Sequence, residues 1–396
     1  MATSSRNGSK VNYDAVVIGA GVIGLSAAWR AAKRGLRVLV LDPASPGSGA
    51  TGVAAGMLAP VTEATFGEED LLALNLESAH RYRDFVAELE DETGIDAHYR
   101  PSGTLAVALD RDDAELLRQL HGFQIGLGLE AEWLRGRECR DLEPGLAPGV
   151  VGGIKSALDH QVRPRSLVNA LVRALDQAGV ELRRARADGI SVRSGAVSGV
   201  KLDGGEAVSV EQVVVAAGWQ AASLGLPADS RLPVRPVKGQ IVRLAGAGRT
   251  PIARRVVRTP EVYVVPRDDG EVVVGATVEE RGPDTRVTAG GVFDLLRAAY
   301  RVLPGVTELE LVETAAGLRP ASPDNKPVIG RGNIPGLVWA TAHWRNGILL
   351  APVTADAVAE LLTGQELPPR FASFSPERFA RPTPSVTATV GERLEP

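Results

Sequence analysis

The sequence predicts an α/β protein in which a domain built on a parallel sheet is interleaved with an α+β domain built on an antiparallel sheet. Residues 15–42 show a strand–helix–strand pattern, and residues 165–177 carry the apolar stripe of a further helix. Two stretches interrupt this pattern: residues 95–148, with a mixed pattern of a strand and a helix, and residues 232–311, which are strand-rich. Because strands that alternate with helices form parallel sheets and runs of strands form antiparallel ones, two interleaved domains are expected.

The first domain is therefore expected to be discontinuous along the chain. Its segments should be 13–94, 149–231 and 312–380, and those of the second domain 95–148 and 232–311. The two ends, 1–12 and 381–396, show no apolar periodicity of the kind that a packed helix or strand has. We expect them to be flexible termini.

Composition excludes several classes of protein. The chain has 396 residues and a formal net charge of -4 without a run of Lys or Arg, so nucleic acid is not an expected partner. The single cysteine, Cys139, cannot form an intrachain disulfide, and the five histidines lack the spacing of metal ligands. The apolar run at 15–29 is broken by glycines and is too short to span a bilayer. A cytoplasmic protein without a metal or a membrane span is expected.

A glycine-rich turn, Gly19-Ala20-Gly21-Val22-Ile23-Gly24, follows the first strand. Gly19 permits a tight turn, Gly21 lets the backbone approach a pyrophosphate, and Gly24 lets the next helix pack closely on the strand. Asp42, at the end of the second strand, can accept from a ribose hydroxyl, which argues against the 2′-phosphate of NADP. A glycine turn without a ligand is the alternative. The strand, glycines, helix and acid in register favour a Rossmann-type dinucleotide site.

A second segment of small residues runs from Ser48 to Pro60. Its accessible main-chain N–H groups suit a tricyclic isoalloxazine better than a nicotinamide, although an ordinary loop is equally consistent with the pattern. The sequence contains one dinucleotide fingerprint, whereas flavin enzymes that take electrons from NAD(P)H usually carry two nucleotide-binding folds. The organic substrate is therefore expected to reduce the flavin. A nicotinamide-dependent dehydrogenase is a further alternative.

Further motifs along the chain are the stretches Ala54–Leu58, Pro236–Gln240, Gly317–Pro320 and His343–Pro352. Together with the glycine-rich turn they resemble the D-amino-acid-oxidase-like FAD-dependent oxidoreductases, and within them the glycine oxidases of thiamine biosynthesis. The resemblance extends over residues 14–379, and the string at 345–352 is its most specific part. It implies a Rossmann-type FAD-binding domain interleaved with an α+β substrate-binding domain.

The resemblance implies non-covalent FAD. Carried over position by position, the expected contacts are Gly19, Gly21, Val22, Ile23, Gly24, Asp42, Pro43, Ala50, Thr51, Ala55, Gly56, Met57, Ala187, His343, Trp344, Arg345, Asn346, Gly347, Ile348 and Leu349. Gly347 should permit the turn into the final helix, whose positive N-terminus would face the flavin. A glycine that simply starts a helix is the alternative. Cys139 is distant in sequence from this motif, so a covalent flavin is not expected.

The resemblance also implies a substrate clamp. Arg319 is expected to bind the carboxylate of an amino acid, because a guanidinium can bind it through two hydrogen bonds. Arg345 is expected to be a second contact, and Tyr263 to contribute its hydroxyl. The alternatives are a structural salt bridge for each arginine and a core position for the tyrosine.

The activity implied by the resemblance is the FAD-dependent oxidative deamination of glycine, sarcosine and small D-amino acids. A hydride passes to the flavin, O2 becomes hydrogen peroxide, and the imine is expected to feed thiazole synthase in the thiazole branch of thiamine biosynthesis. A homo-oligomer is expected. The alternatives are a sarcosine or D-amino-acid dehydrogenase that uses a quinone, and a flavin-binding subunit without turnover. Glu261 and Val278 depart from the family pattern near the expected pocket, which leaves the preferred amine open.

Overall fold

The structure, a computed structural model, describes residues 13–246 and 251–380. The termini 1–12 and 381–396, for which flexibility is predicted, lie outside the described residues. In chain order the strands are β1 Ala15–Ile18, β2 Val38–Asp42, β3 Met57–Leu58, β4 Thr104–Ala108, β5 Glu132–Arg135, β6 Gly152–Ser156, β7 His160–Gln161, β8 Glu181–Arg184, β9 Ala187–Arg193, β10 Ala196–Leu202, β11 Ala207–Val208, β12 Val213–Val215, β13 Arg235–Ala245, β14 Val256–Arg258, β15 Tyr263–Pro266, β16 Glu271–Gly275, β17 Glu310–Ala321, β18 Val328–Arg331 and β19 Leu337–Thr341. The helices are α1 Val22–Lys33, α2 Ala50–Val53, α3 Glu69–Thr93, α4 Arg111–Gly126, α5 Gly136–Leu142, α6 Pro164–Gln177, α7 Ala289–Val302 and α8 Ala351–Leu362. None of these helices combines the length and the apolar character that a membrane crossing needs.

A six-stranded sheet, in the order β18-β19-β12-β1-β2-β8, forms the centre of one domain. The neighbours from β19 to β8 run parallel, and β18 is an antiparallel edge strand. β1 and β2 are continuous apolar runs and are almost entirely buried, as strands covered on both faces require. The predicted strand–helix–strand unit at 15–42 is confirmed.

Helices cover one face of the parallel sheet. α1 packs against α6 and α8, and α3 packs against the same two helices. Trp29 of α1 is fully buried, and its ring lies edge-on to Phe85 of α3, with 5.2 Å between the ring centroids. Burying an aromatic side chain such as Phe85 stabilises the fold by about 1.5–3 kcal/mol. This packing fixes α1, and therefore the glycine-rich turn at its start.

An eight-stranded sheet forms the centre of the second domain, in the order β17-β13-β16-β15-β14-β4-β6-β5. Its pairs are antiparallel apart from β14 with β4. α7 packs on β13 and β16, where it buries apolar side chains. The register places Arg319 of β17 opposite Val237 of β13, and Tyr263 of β15 opposite Gly275 of β16. The predicted combination of a parallel α/β sheet with an α+β part on an antiparallel sheet is confirmed.

Two strands depart from the predicted domain boundaries. β6 lies within the expected segment 149–231, yet it pairs with β4 and β5 of the larger sheet. β17 crosses the expected boundary at 312 and pairs with β13 along its length. The sequence of β6, Gly-Gly-Ile-Lys-Ser, has little apolar alternation, so its partners are set by long-range pairing that local pattern does not reveal.

Candidate active site

A cavity of about 700 Å³ is lined by residues from both sheets. It brings together most of the residues that the sequence predicts for a site. These are Gly19, Gly21, Val22, Ile23, Asp42, Pro43, Ala50, Thr51, Ala55, Gly56, Met57, Ala187, Tyr263, Arg319, His343, Trp344, Arg345, Gly347 and Ile348.

Three further residues predicted to contact FAD, Gly24, Asn346 and Leu349, are not among those lining the cavity. A Cβ atom on Gly24 would lie 1.9 Å from the carbonyl oxygen of Gly19, so this glycine is needed for the close packing of α1. Asn346 is buried, and the Leu349 carbonyl accepts a hydrogen bond from Ser78 Oγ at 2.6 Å. Gly24 and Leu349 thus contribute to packing and hydrogen bonding within the fold, and contact of these three residues with FAD stays a prediction.

The glycine-rich turn between β1 and α1 forms part of the cavity wall. Gly19 has a φ of +112°, which disfavours any side chain, and a Cβ atom there would lie 2.4 Å from the carbonyl oxygen of Ala216. Gly21 has an ordinary φ of -76°, and a Cβ atom there would lie 3.4 Å from Thr51 Oγ1. Thr51 also accepts a hydrogen bond from the Val22 N–H at 3.1 Å, which fixes the start of α1. The bare Gly21 leaves space for a phosphate group to approach the backbone.

Asp42 ends β2 at the cavity. Its carboxylate accepts hydrogen bonds from the backbone N–H groups of Ala20 and Ala44, both at 2.8 Å. These bonds tie the end of β2 to the glycine-rich turn. A carboxylate has about four lone-pair sites, so roughly two stay available for ribose hydroxyls.

The C-terminal motif connects β19 to α8. Burial lowers the pKa of His343 to about 3, so its imidazole is neutral at physiological pH. The left-handed positions of this turn are Ala342, with φ 59°, and Trp344, with φ 49°. Gly347 has an ordinary helical φ of -59°, so the expectation that it permits the turn is wrong. Gly347 lines the cavity, where the missing side chain leaves room for a ligand.

These features fit FAD. A dinucleotide needs a turn without side chains at the pyrophosphate, a helix N-terminus beside it and an acceptor at the ribose, and all three meet at this cavity. The volume of about 700 Å³ lies within the range of cofactor and ligand sites. The glycine-rich turn, Asp42, Thr51 and the segment around Gly347 would hold the cofactor.

Arg319 reaches the same cavity from β17 and is half-buried. Its Nη1 donates to the carbonyl oxygens of Thr277, at 3.1 Å, and Lys238, at 3.4 Å. Within residues 13–246 and 251–380, no carboxylate forms an ion pair with this guanidinium. Gly239 on the neighbouring strand makes room for it, since a Cβ atom there would lie 2.2 Å from Arg319 Nη1. Arg319 therefore presents an uncompensated positive charge to an anion.

Tyr263 lines the cavity together with Arg319. A Cβ atom on the facing Gly275 would lie 2.5 Å from the Tyr263 hydroxyl oxygen, so only glycine leaves space for this phenol. Burial raises the pKa of Tyr263, while the positive charge of Arg319 acts in the opposite direction. The hydroxyl is therefore protonated and can donate to an anion held by Arg319.

Arg345 also lines the cavity, but carboxylates of the protein neutralise it. Its Nη2 lies 2.7 Å from Glu68 and donates to Thr65 Oγ1 at 3.1 Å and to the Glu63 carbonyl oxygen at 3.4 Å. The structural salt bridge is thus what the structure contains. The predicted role of Arg345 as a second substrate contact is not supported by this geometry.

Glu63 is a cavity residue that sequence reasoning missed. Its carboxylate lies 3.5 Å from Arg258 Nη1 and 4.0 Å from Arg345 Nε. The segment around it has no motif, so nothing in the sequence indicates that this glutamate faces a ligand. The residues after β12, Ala216 to Gln220, were also missed although they line the cavity. Here a signal existed, because ligands bind at the carboxyl ends of parallel strands.

The two departures from the family pattern lie away from the cavity wall. Glu261 is exposed and pairs with Arg301 at 3.3 Å. Val278 is 67% exposed and does not line the cavity. Neither side chain lines the cavity, although Val278 directly follows Thr277, whose carbonyl oxygen accepts a hydrogen bond from Arg319. Cys139 is buried in the core under the larger sheet, and burial raises the pKa of its thiol to about 11.

Comparison with known proteins places these features in context. A family model described as DAO, FAD dependent oxidoreductase, matches residues 14–361. The bifunctional protein ThiO/ThiG of Trichormus variabilis is 36% identical over 385 residues, which cover 94% of this chain and 57% of that protein. The chain thus spans little more than half the length of this curated relative.

Two relatives match over nearly their whole length. The glycine oxidase of Geobacillus kaustophilus is 34% identical over 92% of this chain and 96% of its own. Its crystal structure superposes with a TM-score of 0.87 over 92% of this chain and 98% of that chain. The hydrogen cyanide synthase subunit HcnC of Pseudomonas aeruginosa is 30% identical over 96% of this chain and 99% of its own.

Proposed function

Because the chain belongs to the DAO family of FAD dependent oxidoreductases, we propose that it catalyses the oxidative deamination of glycine and other small amines, including sarcosine and small D-amino acids. The observation that carries this proposal is Arg319, a half-buried guanidinium that pairs with no carboxylate among the described residues, at the cavity that the dinucleotide motif also lines. The resemblance to the glycine oxidase of Geobacillus kaustophilus supports the choice of substrate.

The residues of the chain bind and orient the amine. Arg319 holds the substrate carboxylate, and the Tyr263 hydroxyl donates a hydrogen bond to the same group. Bound FAD supplies the two-electron oxidation chemistry. The amine loses two electrons and two protons and becomes an imine. O2 takes up the two electrons and the two protons and becomes hydrogen peroxide. Positioning of this kind supplies several kcal/mol of rate acceleration, up to roughly 7–11 kcal/mol.

The imine product indicates a protein partner that consumes it. An imine hydrolyses in water, so a reaction that consumes it benefits from an acceptor close by. The resemblance to one part of a bifunctional ThiO/ThiG protein supports delivery of the imine to thiazole synthase in thiamine biosynthesis. We propose thiazole synthase as this acceptor, together with a homo-oligomeric assembly of the oxidase.

The test is peroxide production by the purified holoenzyme with glycine, sarcosine, D-alanine and D-proline. Arg319→Ala should raise the KM for glycine about 100-fold or more, because it removes charge-assisted hydrogen bonds to the carboxylate, while FAD stays bound. Arg173→Ala is the matched control, since Arg173 is an exposed residue of α6 that does not line the cavity. An unchanged KM in Arg319→Ala would show that the carboxylate binds elsewhere.

A second candidate function keeps the same site but changes the electron acceptor. The resemblance to HcnC, a subunit of hydrogen cyanide synthase, supports a flavin subunit. A sarcosine or D-amino-acid dehydrogenase that uses a quinone is the other alternative. Anaerobic reduction by glycine followed by slow reoxidation in air would select this candidate. Rapid reoxidation with one peroxide per glycine would select the oxidase.

A further inference from the structure

Glu63 is a carboxylate that the proposed function leaves without a role. It lines the same cavity as Arg319 and Tyr263, and its side chain is 17% exposed. Its ion pairs with Arg258 and Arg345 are long, at 3.5 and 4.0 Å. In the part of the chain that the structure describes, its carboxylate oxygens accept no hydrogen bond. The oxygens of this carboxylate can therefore accept hydrogen bonds from water or from a ligand.

The backbone that carries Glu63 is held on both sides. The buried Asp159 accepts hydrogen bonds from the N–H groups of Val61, at 2.9 Å, and Thr62, at 3.0 Å. Gln124 Nε2 donates to the Val61 carbonyl oxygen at 2.9 Å. Arg345 bonds to the segment that follows, as described above. The position of Glu63 is therefore fixed before a ligand binds, which lowers the ordering cost of recognition.

The charges around Tyr263 have both signs. Arg319 and Glu63 each act on its hydroxyl, the first lowering and the second raising the pKa of the phenol. A positive and a negative group thus lie within electrostatic reach of one hydroxyl. A small zwitterionic amino acid carries the complementary pair of charges, because its ammonium and carboxylate groups are both bound to the α-carbon.

We propose that Glu63 receives the ammonium group of the substrate while Arg319 receives its carboxylate, so that the cavity selects small zwitterionic amines. This inference rests on the proposed function. An ammonium group offers three N–H donors, which suit the open lone pairs of Glu63. A carboxylic acid without an amine would keep the contact with Arg319 but meet the negative charge of Glu63.

The test compares two ligands in the wild-type holoenzyme and in Glu63→Gln, which keeps the shape of the side chain and removes its charge. The KM for glycine should rise about 10- to 100-fold in the variant. The Kd for acetate, measured from the change in the flavin absorption spectrum, should stay the same or fall. The opposite response of the two ligands is the signature of an ammonium site.

Glu68→Gln is the matched control, because Glu68 pairs with Arg345 in the same segment but does not line the cavity. It should shift glycine and acetate together or shift neither. Equal weakening of both ligands in Glu63→Gln, or no change in either, overturns the inference.

If Glu63→Gln does not fold, methylammonium should still compete with glycine in the wild type, and absence of competition overturns the inference. The proposed function is tested separately by the dependence of acetate binding on Arg319. This dependence should persist whether or not Glu63 binds the ammonium group.

Discussion

Arg319 and Arg345 both reach the cavity, but the protein neutralises only one of them among the residues that the structure describes. Glu68 lies 2.7 Å from Arg345, whereas the partners of Arg319 are carbonyl oxygens. A guanidinium with a paired carboxylate holds a loop, and one without it attracts an anion. In the sequence the two arginines look alike, because Glu68 lies 277 positions away from Arg345. The family resemblance therefore identifies both candidates, but the sequence does not show which of them a protein carboxylate neutralises.

At the same scale, Tyr263→Phe should raise the KM for glycine about 3- to 10-fold without loss of FAD. The substitution removes one hydrogen bond, worth about 0.5–1.5 kcal/mol, and keeps the ring in place. Steady-state kinetics on protein with matched FAD content measure the effect. Tyr82→Phe is the control, since the buried Tyr82 hydroxyl has no partner in the described structure and lies outside the cavity lining. Equal KM values for Tyr263→Phe and wild type would contradict the role of the hydroxyl.

At the scale of elements, the parts that local pattern specifies are the ones predicted well. β1, α1 and β2 each carry a complete signal, because an apolar run, the glycines and a following acid lie within 30 residues of one another. β6 carries no such signal, and its place in the larger sheet depends on pairing with β4 and β5. The loop that presents Glu63 is likewise held by distant groups, Asp159 and Gln124 among them. Tertiary contacts of this kind are not readable from one sequence.

Asp159, which follows β6 and holds this loop, gives a prediction about pH. It is fully buried, and desolvation raises the pKa of its carboxyl from 3.8 to about 6, although hydrogen bonds from Thr62 and Val61 oppose the shift. Since the folded-state pKa is the higher one, protonation favours the folded protein. The contribution of this carboxyl group to the free energy of unfolding is fully present below pH 3.8 and is lost as the pH rises through 6.

The stability of the wild type relative to Asp159→Asn should therefore fall by about 2.4 kcal/mol between pH 4 and pH 7. Asparagine does not titrate, so the variant lacks this dependence. Thermal unfolding midpoints of both proteins, measured with saturating FAD across this range, check the result. Parallel curves for the two proteins would show that Asp159 does not titrate as described.

At the scale of the whole molecule, one cavity is shared by two sheets. The parallel sheet contributes the glycine-rich turn and Asp42, and the antiparallel sheet contributes Arg319 and Tyr263. A ligand that binds both walls stabilises their association, because it binds the folded protein and not the unfolded chain.

Added FAD should raise the Tm of protein stripped of cofactor, by the equivalent of about 2.7 kcal/mol at a free concentration 100 times the Kd. Gly21→Val should abolish this shift and give colourless protein, because the side chain fills the space over the turn while the φ of -76° tolerates it. Gly149→Val is the control, since a Cβ atom there meets nothing within 4 Å. A full FAD response in Gly21→Val would exclude this turn as the pyrophosphate site.

The order in which the walls of the cavity occur along the polypeptide has a consequence for biosynthesis. The glycine-rich turn leaves the ribosome early, but the segment His343–Ile348, on the other side of the cavity, follows more than three hundred residues later. A nascent chain therefore cannot enclose its cofactor until this segment has been synthesised. Supply of FAD should matter from that point on, when Leu337–Thr341 and Ala351–Leu362, the last strand and helix of the parallel layer, can complete the cavity.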